Sequence, residues 1–419
     1  MKIGYACLVA GNQELSLKSC TMKYATPQKL REITEHNLNT LEQILEYNIR
    51  NSIYLFRISS DIIPFASKKE VEFSWQELFK EKLEWIGKIA KENQVRLSMH
   101  PGQYTVLNSP DPDVVERAVL DLAYHTEFLD LCQMGSECKI ILHIGGAYGD
   151  KKTAKERFAE NYHRLPENIK NRLVIENDDK IYHIEDVMDI ALRTGIPVVF
   201  DVFHHEINPP DGNRTLLEWL RLVSETWKEK DGIPKIHYSQ QLANGKPGAH
   251  SETIKLSFFL DFHHMIQQNH VDIMLEVKDK NLSAVKCILA TTEQGTMKKL
   301  EEEWGRYKYN VLEHSHQIYL EIRSLLKDKS AYPVTMFYSL LEQAMSTPVI
   351  DGQQRNALQH VWGYFKDQVT EQEKKKFVQM LEEFDRKMID AGKVKRYLFR
   401  LLEKYPDLYL KNSYYFTGL

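Results

Sequence analysis

Residues 96–109 read RLSMHPGQYTVLNS. A short apolar run ends in a histidine, His100, and Pro101 and Gly102 then stop the strand. Gln103 and Tyr104 follow, an amide and a ring presented by a turn. One strand-end histidine is ordinarily a hydrogen-bonded structural residue. Repetition is what gives the pattern meaning, and it does repeat.

Apolar runs recur at 2–8 (KIGYACL), 52–60 (SIYLFRISS), 95–100, 139–145 (KIILHIG), 172–178 (RLVIEND), 197–203 (PVVFDVF), 234–239 (PKIHYS) and 271–277 (VDIMLEV). Most are continuous and rich in Val, Ile and Leu, as in strands buried on both faces of a parallel sheet. Helical periodicity fills the gaps at 27–48, 74–93, 112–134, 151–165, 183–194, 214–229 and 251–268. Thr26 is placed to cap the first helix, with Pro27 at its first position. Ser74 and Glu77 have capping-box spacing. Eight strands alternating with helices predict a (β/α)8 TIM barrel over residues 1–285. An open doubly wound sheet competes, but no glycine-rich phosphate fingerprint follows the first strand. From about residue 285 the strand signal stops, and the pattern predicts a small all-α domain over 300–419.

The 419 residues carry a net charge of −4. The acidity lies in residues 1–299, and the rest is close to balance. This argues against a protein that coats DNA non-specifically. It leaves room for a local basic groove, and metal ions would offset clustered carboxylates. Cys7, Cys20, Cys132, Cys138 and Cys287 form no CxxC pair, so they read as reduced thiols of a cytosolic protein. No run of about 18 uncharged apolar residues marks a membrane span. The N-terminal MKIGYACLVAG reads as a strand rather than a secretory leader.

Six consecutive strands carry a metal-competent or ionisable side chain at or near their C-terminal ends. These are His100, His143, Glu176, Asp201 with His204 just beyond, Lys235 with His237, and Glu276; His250 lies in the loop before the last strand. In a barrel those ends meet on one face, where catalytic residues gather. Glu176 and Asp201 stand inside apolar runs, where an unpaired carboxylate is costly. His205 is expected to face solvent. His125, His163, His183, His263 and His264 fall in helices or loops and read as ordinary surface or core residues. The strand-end set reads as a site for two or three divalent ions. Mixed imidazole and carboxylate suits Mn, Zn, Co or Fe(II) rather than Mg; Mn2+ is the expectation, with Zn2+ or Co2+ as alternatives. Clustered ions favour phosphate-ester hydrolysis.

At these residues the sequence resembles the UV damage endonucleases, DNA repair enzymes related to endonuclease IV. The likeness runs in order through GY (4–5), RISSDIIPFAS (57–67), HPGQY (100–104), HIGG (143–146), IEND (175–178), DVFHH (201–205), KIHYS (235–239), HSE (250–252) and LEVKDK (275–280). It implies an endonuclease IV/xylose isomerase-like barrel. It also implies incision immediately 5′ of a UV photoproduct, a cyclobutane dimer or 6-4 product, leaving a 3′-hydroxyl and a 5′-phosphate. His100, His143 and Glu176 would hold one metal. Glu176, Asp201, His237 and Glu276 would hold a second, and His204 with His250 a third. Glu176, Lys235 and Glu276 would be catalytic, with Lys235 matching a lysine that can be carboxylated. Gln103 and Tyr104, with Tyr5 nearby, match residues that wedge into the duplex at the lesion. The partner implied is double-stranded DNA containing UV lesions, met by a monomer with no membrane role. Two places depart from relatives: Val9, where some carry asparagine, and Lys68, where some carry histidine.

The C-terminal part resembles the YbgA-type helical domain through YKYNVLEHSHQIYLEI, ALQHVWGYFK and YPDLYLKNSYYF, His360, Trp362, Gly363 and Tyr364 carrying most of the likeness. An accessory nucleic-acid or substrate-positioning role, or a stabilising cap, would fit it. Three other functions stay open at this point. They are an abasic-site endonuclease with the same metal core, a metal-dependent sugar isomerase, and a non-enzymatic damage-binding module.

Overall fold

The computed structural model describes residues 1–293 and 295–417; the last two residues of the expected helical domain lie outside the described residues. Eight parallel strands close into a barrel in sequence order. They are β1 (Ile3–Ala6), β2 (Leu55–Ile58), β3 (Arg96–Met99), β4 (Ile140–His143), β5 (Leu173–Glu176), β6 (Val198–Asp201), β7 (Lys235–Tyr238) and β8 (Asp272–Leu275). Every run quoted above contains one of them. Ile140, Ile141, Leu173, Val174, Ile175, Val198, Val199, Ile236 and Ile273 are fully buried, because one face meets the barrel interior and the other meets helices. Each such side chain contributes about 1.5–3 kcal/mol when removed from water. At β1, Gly4 lets two strands approach, since a Cβ there would stand 1.9 Å from the Leu55 carbonyl oxygen.

The sheet register decides where the functional side chains end up. His143 pairs with Glu176 across β4 and β5, and Asp201 pairs with His237 across β6 and β7. His100 and Glu276 each follow the last residue of their strands, β3 and β8. All six therefore reach the C-terminal rim.

The opposite end of the barrel is closed by charge. β3 begins with Arg96, the residue before β4 is Lys139, and the one before β5 is Arg172, all buried. Arg96 Nη1 lies 3.0 Å from Asp272 Oδ2. Lys139 Nζ lies 2.5 Å from Asp231 Oδ1, and Arg172 Nη2 lies 2.5 Å from Asp130 Oδ1. Fixed partners make such burial tolerable.

Helix Pro27–Arg50 begins as expected, Thr26 accepting from Lys29 N. The expected capping box at Ser74 does not form, and Ser74 makes no side-chain cap bond. The helix breaks at Phe79 into Trp75–Leu78 and Lys80–Glu92, where burial of Trp75 and Phe79 overrides local capping.

The described chain divides into two compact units. The barrel unit comprises Met1–Val9, Glu14–Ile254 and Asp261–Ile288. The helical unit takes the chain from Leu289 onward, together with the short segments Ala10–Gln13 and Lys255–Leu260. Its main helices are Met297–His314, His316–Leu325, Val334–Ser346, Asp351–Trp362, Glu371–Asp385 and Ala391–Lys404. They enclose a core of Leu358, Val361, Phe365, Leu398 and Leu401. Trp362 covers it, stacked on Phe377 at 4.1 Å.

Candidate metal centre

Glu176 is the hub of the barrel mouth. Its Oε1 lies 2.7 Å from His100 Nε2 and 3.3 Å from His143 Nε2. Its Oε2 lies 2.7 Å from His237 Nδ1. The same His237 nitrogen is 3.3 Å from Glu276 Oε1 and 3.9 Å from Asp201 Oδ2. Two groups here could hold a metal ion: His100, His143 and Glu176, and Glu176, Asp201 and His237, with donor atoms in each within 4.8 Å of one another. His204 and His250 face each other with ring centroids 6.2 Å apart. They form no third group of three among the described residues.

Three of the histidines are oriented from behind. The Nδ1 atoms of His100, His204 and His250 are hydrogen-bonded to the carbonyls of Pro101 (3.0 Å), Asn177 (3.0 Å) and Glu276 (2.8 Å). Each ring is thereby fixed with Nε2 left over, the usual support of a metal-ligating imidazole. His237 differs. It is fully buried, and neither ring nitrogen, nor Glu176 Oε2, has a hydrogen-bond partner. His237 Nδ1 thus faces Glu176 Oε2 at 2.7 Å without hydrogen-bond geometry, and Nε2 has no hydrogen-bond partner, which leaves buried polar atoms unsatisfied at a cost of about 1–3 kcal/mol each. A divalent cation among these lone pairs removes that cost, so the residues present fit one. The N/O donor set suits Mn, Zn, Co or Fe(II).

The electrostatics agree with a shared cluster. Burial alone would raise the Glu176 carboxyl, but the imidazoles of His143, His237 and His100 outweigh it and hold it well below the usual range. Burial, helped by the Glu276 and Glu176 carboxylates, pushes Asp201 up to about 6 against the pull of His204. His204, which burial alone would lower, is raised to about 9 by Asp201.

Arg57 is a site residue that the pattern of strand ends missed. It sits inside β2, partly buried, and its Nη1 pairs with Glu276 Oε1. Burial alone would raise Glu276, and Arg57 instead brings it well below the carboxylate range. A lone arginine inside SIYLFRISS was the available signal. With His100, His143, Glu176, His204, His250 and Glu276, Arg57 lines a cavity of about 430 Å³.

Lys235 opens β7, two residues before His237 and on the same side of the strand. It is fully buried, its Nζ has no hydrogen-bond partner, and burial, with Arg96 nearby, lowers its pKa far below the usual lysine range.

The turn after His100 presents Gln103 and Tyr104 as expected, Tyr104 being 83 % exposed. Its base is held by Thr105 Oγ1 donating to Asp121 Oδ2 (2.6 Å) and Asn108 Nδ2 donating to the Gly146 carbonyl (2.8 Å). Gly145 at φ +110° keeps the neighbouring loop clear of Asn108, 2.3 Å from where a Cβ would sit. Tyr104 borders a second cavity of about 970 Å³, lined also by Lys68, Arg117, Tyr148 and Lys180. The lysine that departs from relatives thus stands on that cavity's wall.

Tyr5 corrects the expected lesion-reading set. It is fully buried, its hydroxyl donates to Asn48 Oδ1 at 2.8 Å, and its ring meets Phe56 edge-on at 5.2 Å. Strand alternation turns it outward, under helix Pro27–Arg50, away from the mouth. His205 is corrected as well: its ring packs near Phe200 and Trp219 and is half-buried rather than solvent-facing. His125 and His183 are structural, His125 buried and bonded to the Asp121 carbonyl, His183 capping helix Ile184–Thr194.

A closed (β/α)8 barrel with histidines and carboxylates gathered at its C-terminal mouth defines a class of barrel enzyme with a metal-competent centre. Residues 1–303 match the family described as UV-endonuclease UvdE. The UV DNA damage endonuclease of Clostridium perfringens (strain 13 / Type A) is 40% identical over 421 residues, covering 100% of both chains. That of Bacillus cereus (strain Q1) is 39% identical over 268 residues, 64% of this chain and 84% of its own. A solved structure, SacUVDE, superposes with a TM-score of 0.65 at 39% identity, covering 72% of this chain and 99% of its own. The chain belongs to the UV-endonuclease UvdE family and is an endonuclease. Residues 308–418 match a second family, described as a protein of unknown function, DUF1722.

Proposed function

We propose that the barrel incises one strand of duplex DNA immediately 5′ of a UV photoproduct, a cyclobutane dimer or 6-4 product, leaving a 3′-hydroxyl and a 5′-phosphate. The observation that carries this reading is His237, sealed in the barrel with neither ring nitrogen hydrogen-bonded and with Nδ1 crowded against the carboxylates of Glu176, Glu276 and Asp201. Such an arrangement is costly to maintain except around cations.

In this reading His100, His143 and Glu176 hold one divalent ion. Glu176, Asp201, His237 and Glu276 hold a second, and His204 with His250 contribute to a third, the ions being Mn2+. Bound there, divalent ions lower the pKa of a water molecule, hold the phosphate oxygens and stabilise the leaving oxygen. Arg57, paired with Glu276, offsets that carboxylate's charge at the cavity that receives the phosphate. Lys235, buried without a hydrogen-bond partner two residues before His237, would become a further acid of the barrel interior on carboxylation of its amine.

Gln103 and Tyr104 wedge into the duplex at the lesion. A ring that replaces a displaced base recovers about 1–3 kcal/mol of stacking. The exposure of Tyr104 on a braced turn supports that role. One barrel suffices for one lesion, so the chain acts as a monomer, in the cytosol where the DNA lies.

The test is nicking of supercoiled plasmid, irradiated against untreated, with Mn2+ or with chelator, alongside Glu176→Gln. We expect nicking of the irradiated plasmid only, dependent on metal and lost in the variant. Absence of nicking under every metal tried removes the assigned reaction. Cleavage confined to abasic plasmid moves the assignment to abasic-site repair.

A further inference from the structure

The helical unit holds a feature that the barrel's chemistry leaves unused. Helix Met297–His314 carries Trp304 and Lys308 four residues apart, and the next helix, His316–Leu325, carries Tyr319 and Arg323 four apart. Each helix thus presents a ring followed by a cation on one face. Trp304 and Tyr319 meet at 5.3 Å between ring centroids, and the Arg323 guanidinium lies 5.7 Å from the Tyr319 ring. Lys308 Nζ lies 4.5 Å from the Tyr409 ring. Tyr409 in turn lies parallel to Tyr364, 2° from coplanar at 5.9 Å.

Among the described residues, neither Lys308 nor Arg323 has an acidic partner at ion-pair distance. Neighbouring Arg306 and Lys395 are paired with Glu303 at 2.6 Å and Glu313 at 2.7 Å. Burial, and after it the like charge of Arg323, lower the pKa of Lys308. Two cations held together without a carboxylate are relieved by an incoming anion. Arg323 and Tyr409 are exposed, and the other four side chains are half-buried; the His316 ring also lies nearly parallel to Tyr319, at 6.1 Å. Phosphates spaced between stackable bases match that alternation of charge and ring.

We propose that this strip of four rings and two cations is a second nucleic-acid site, one that takes a single-stranded segment through base stacking and two phosphate contacts. It does not depend on the reaction assigned to the barrel.

The test measures fluorescence anisotropy of labelled oligothymidylate and oligouridylate, about 12 nucleotides long, with the full chain in excess chelator. Lys308→Gln/Arg323→Gln should bind about tenfold more weakly, and its log–log salt slope should be shallower by about 1.4, since each phosphate contact on a single strand contributes about 0.7. Lys308→Arg/Arg323→Lys should keep the affinity, and thermal melts should match. If the double Gln variant melts early, Arg323→Gln alone, at an exposed position, should show half the slope change. The two oligonucleotides tell a DNA ligand from an RNA ligand. Glu176→Gln should bind them like the wild type, so failure of the barrel reading and failure of this one are read separately. Absence of oligonucleotide binding by the wild type overturns the proposal. So does an unchanged salt slope on loss of the charges, or a loss of affinity shared by the charge-keeping variant.

Discussion

At the scale of single residues, two tyrosines divide between structure and recognition. Tyr5 is sealed under a helix with its hydroxyl on Asn48, whereas Tyr104 stands in solvent. Tyr5→Phe removes one buried hydrogen bond and should lower stability by about 1 kcal/mol, read from urea midpoints, without changing affinity for irradiated DNA. Tyr104→Ala should do the reverse, weakening that affinity about tenfold in a gel-shift titration, which corresponds to roughly 1.4 kcal/mol of lost stacking. A weaker complex from Tyr5→Phe with an intact fold would contradict the burial argument. Residue type and spacing revealed His100, His143, Glu176, Asp201 and His237, because ionisable groups inside apolar runs are anomalous. They did not reveal which side of β1 Tyr5 faces, since YA and GY read alike until the barrel closes. Arg57 stayed hidden because its partner, Glu276, lies a whole barrel circuit away in sequence.

At the scale of elements, the eight strands were legible because parallel strands covered on both faces carry near-continuous Val, Ile and Leu. Helix interruptions were not. Ser74 has the right neighbours for a cap, yet tertiary burial of Trp75 and Phe79 sets the chain's path there. The cations at the closed end were visible as letters, but their acids lie on other elements. That end makes a quantitative expectation possible. Asp231→Ala leaves Lys139 buried and uncompensated, which should cost about 3–5 kcal/mol, measured by chemical denaturation. Lys139→Met on top of it should restore much of the loss, since an apolar side chain of similar length needs no partner. If the double variant is no better than Asp231→Ala, charge pairing is not what that end contributes.

At the scale of the whole molecule, imidazoles and carboxylates crowd at the barrel mouth, and both His237 ring nitrogens and Glu176 Oε2 are buried there without a hydrogen bond. A cation that binds the folded state only must raise its stability, by about 2.7 kcal/mol at a hundredfold excess over Kd. Scanning calorimetry with and without Mn2+ should therefore show the barrel transition move up by several degrees and fall back on chelation, and His237→Ala should abolish most of the shift. An unmoved transition with Mn2+, Zn2+ and Co2+ alike would mean that the cluster is not a metal centre.

The position of Glu176 has a consequence for inheritance. One carboxylate gives an oxygen to each of the two donor groups, so neither group can be altered at that residue without altering the other. A change at Glu176 perturbs both groups at once, whereas one at His143 or Asp201 starts in a single group.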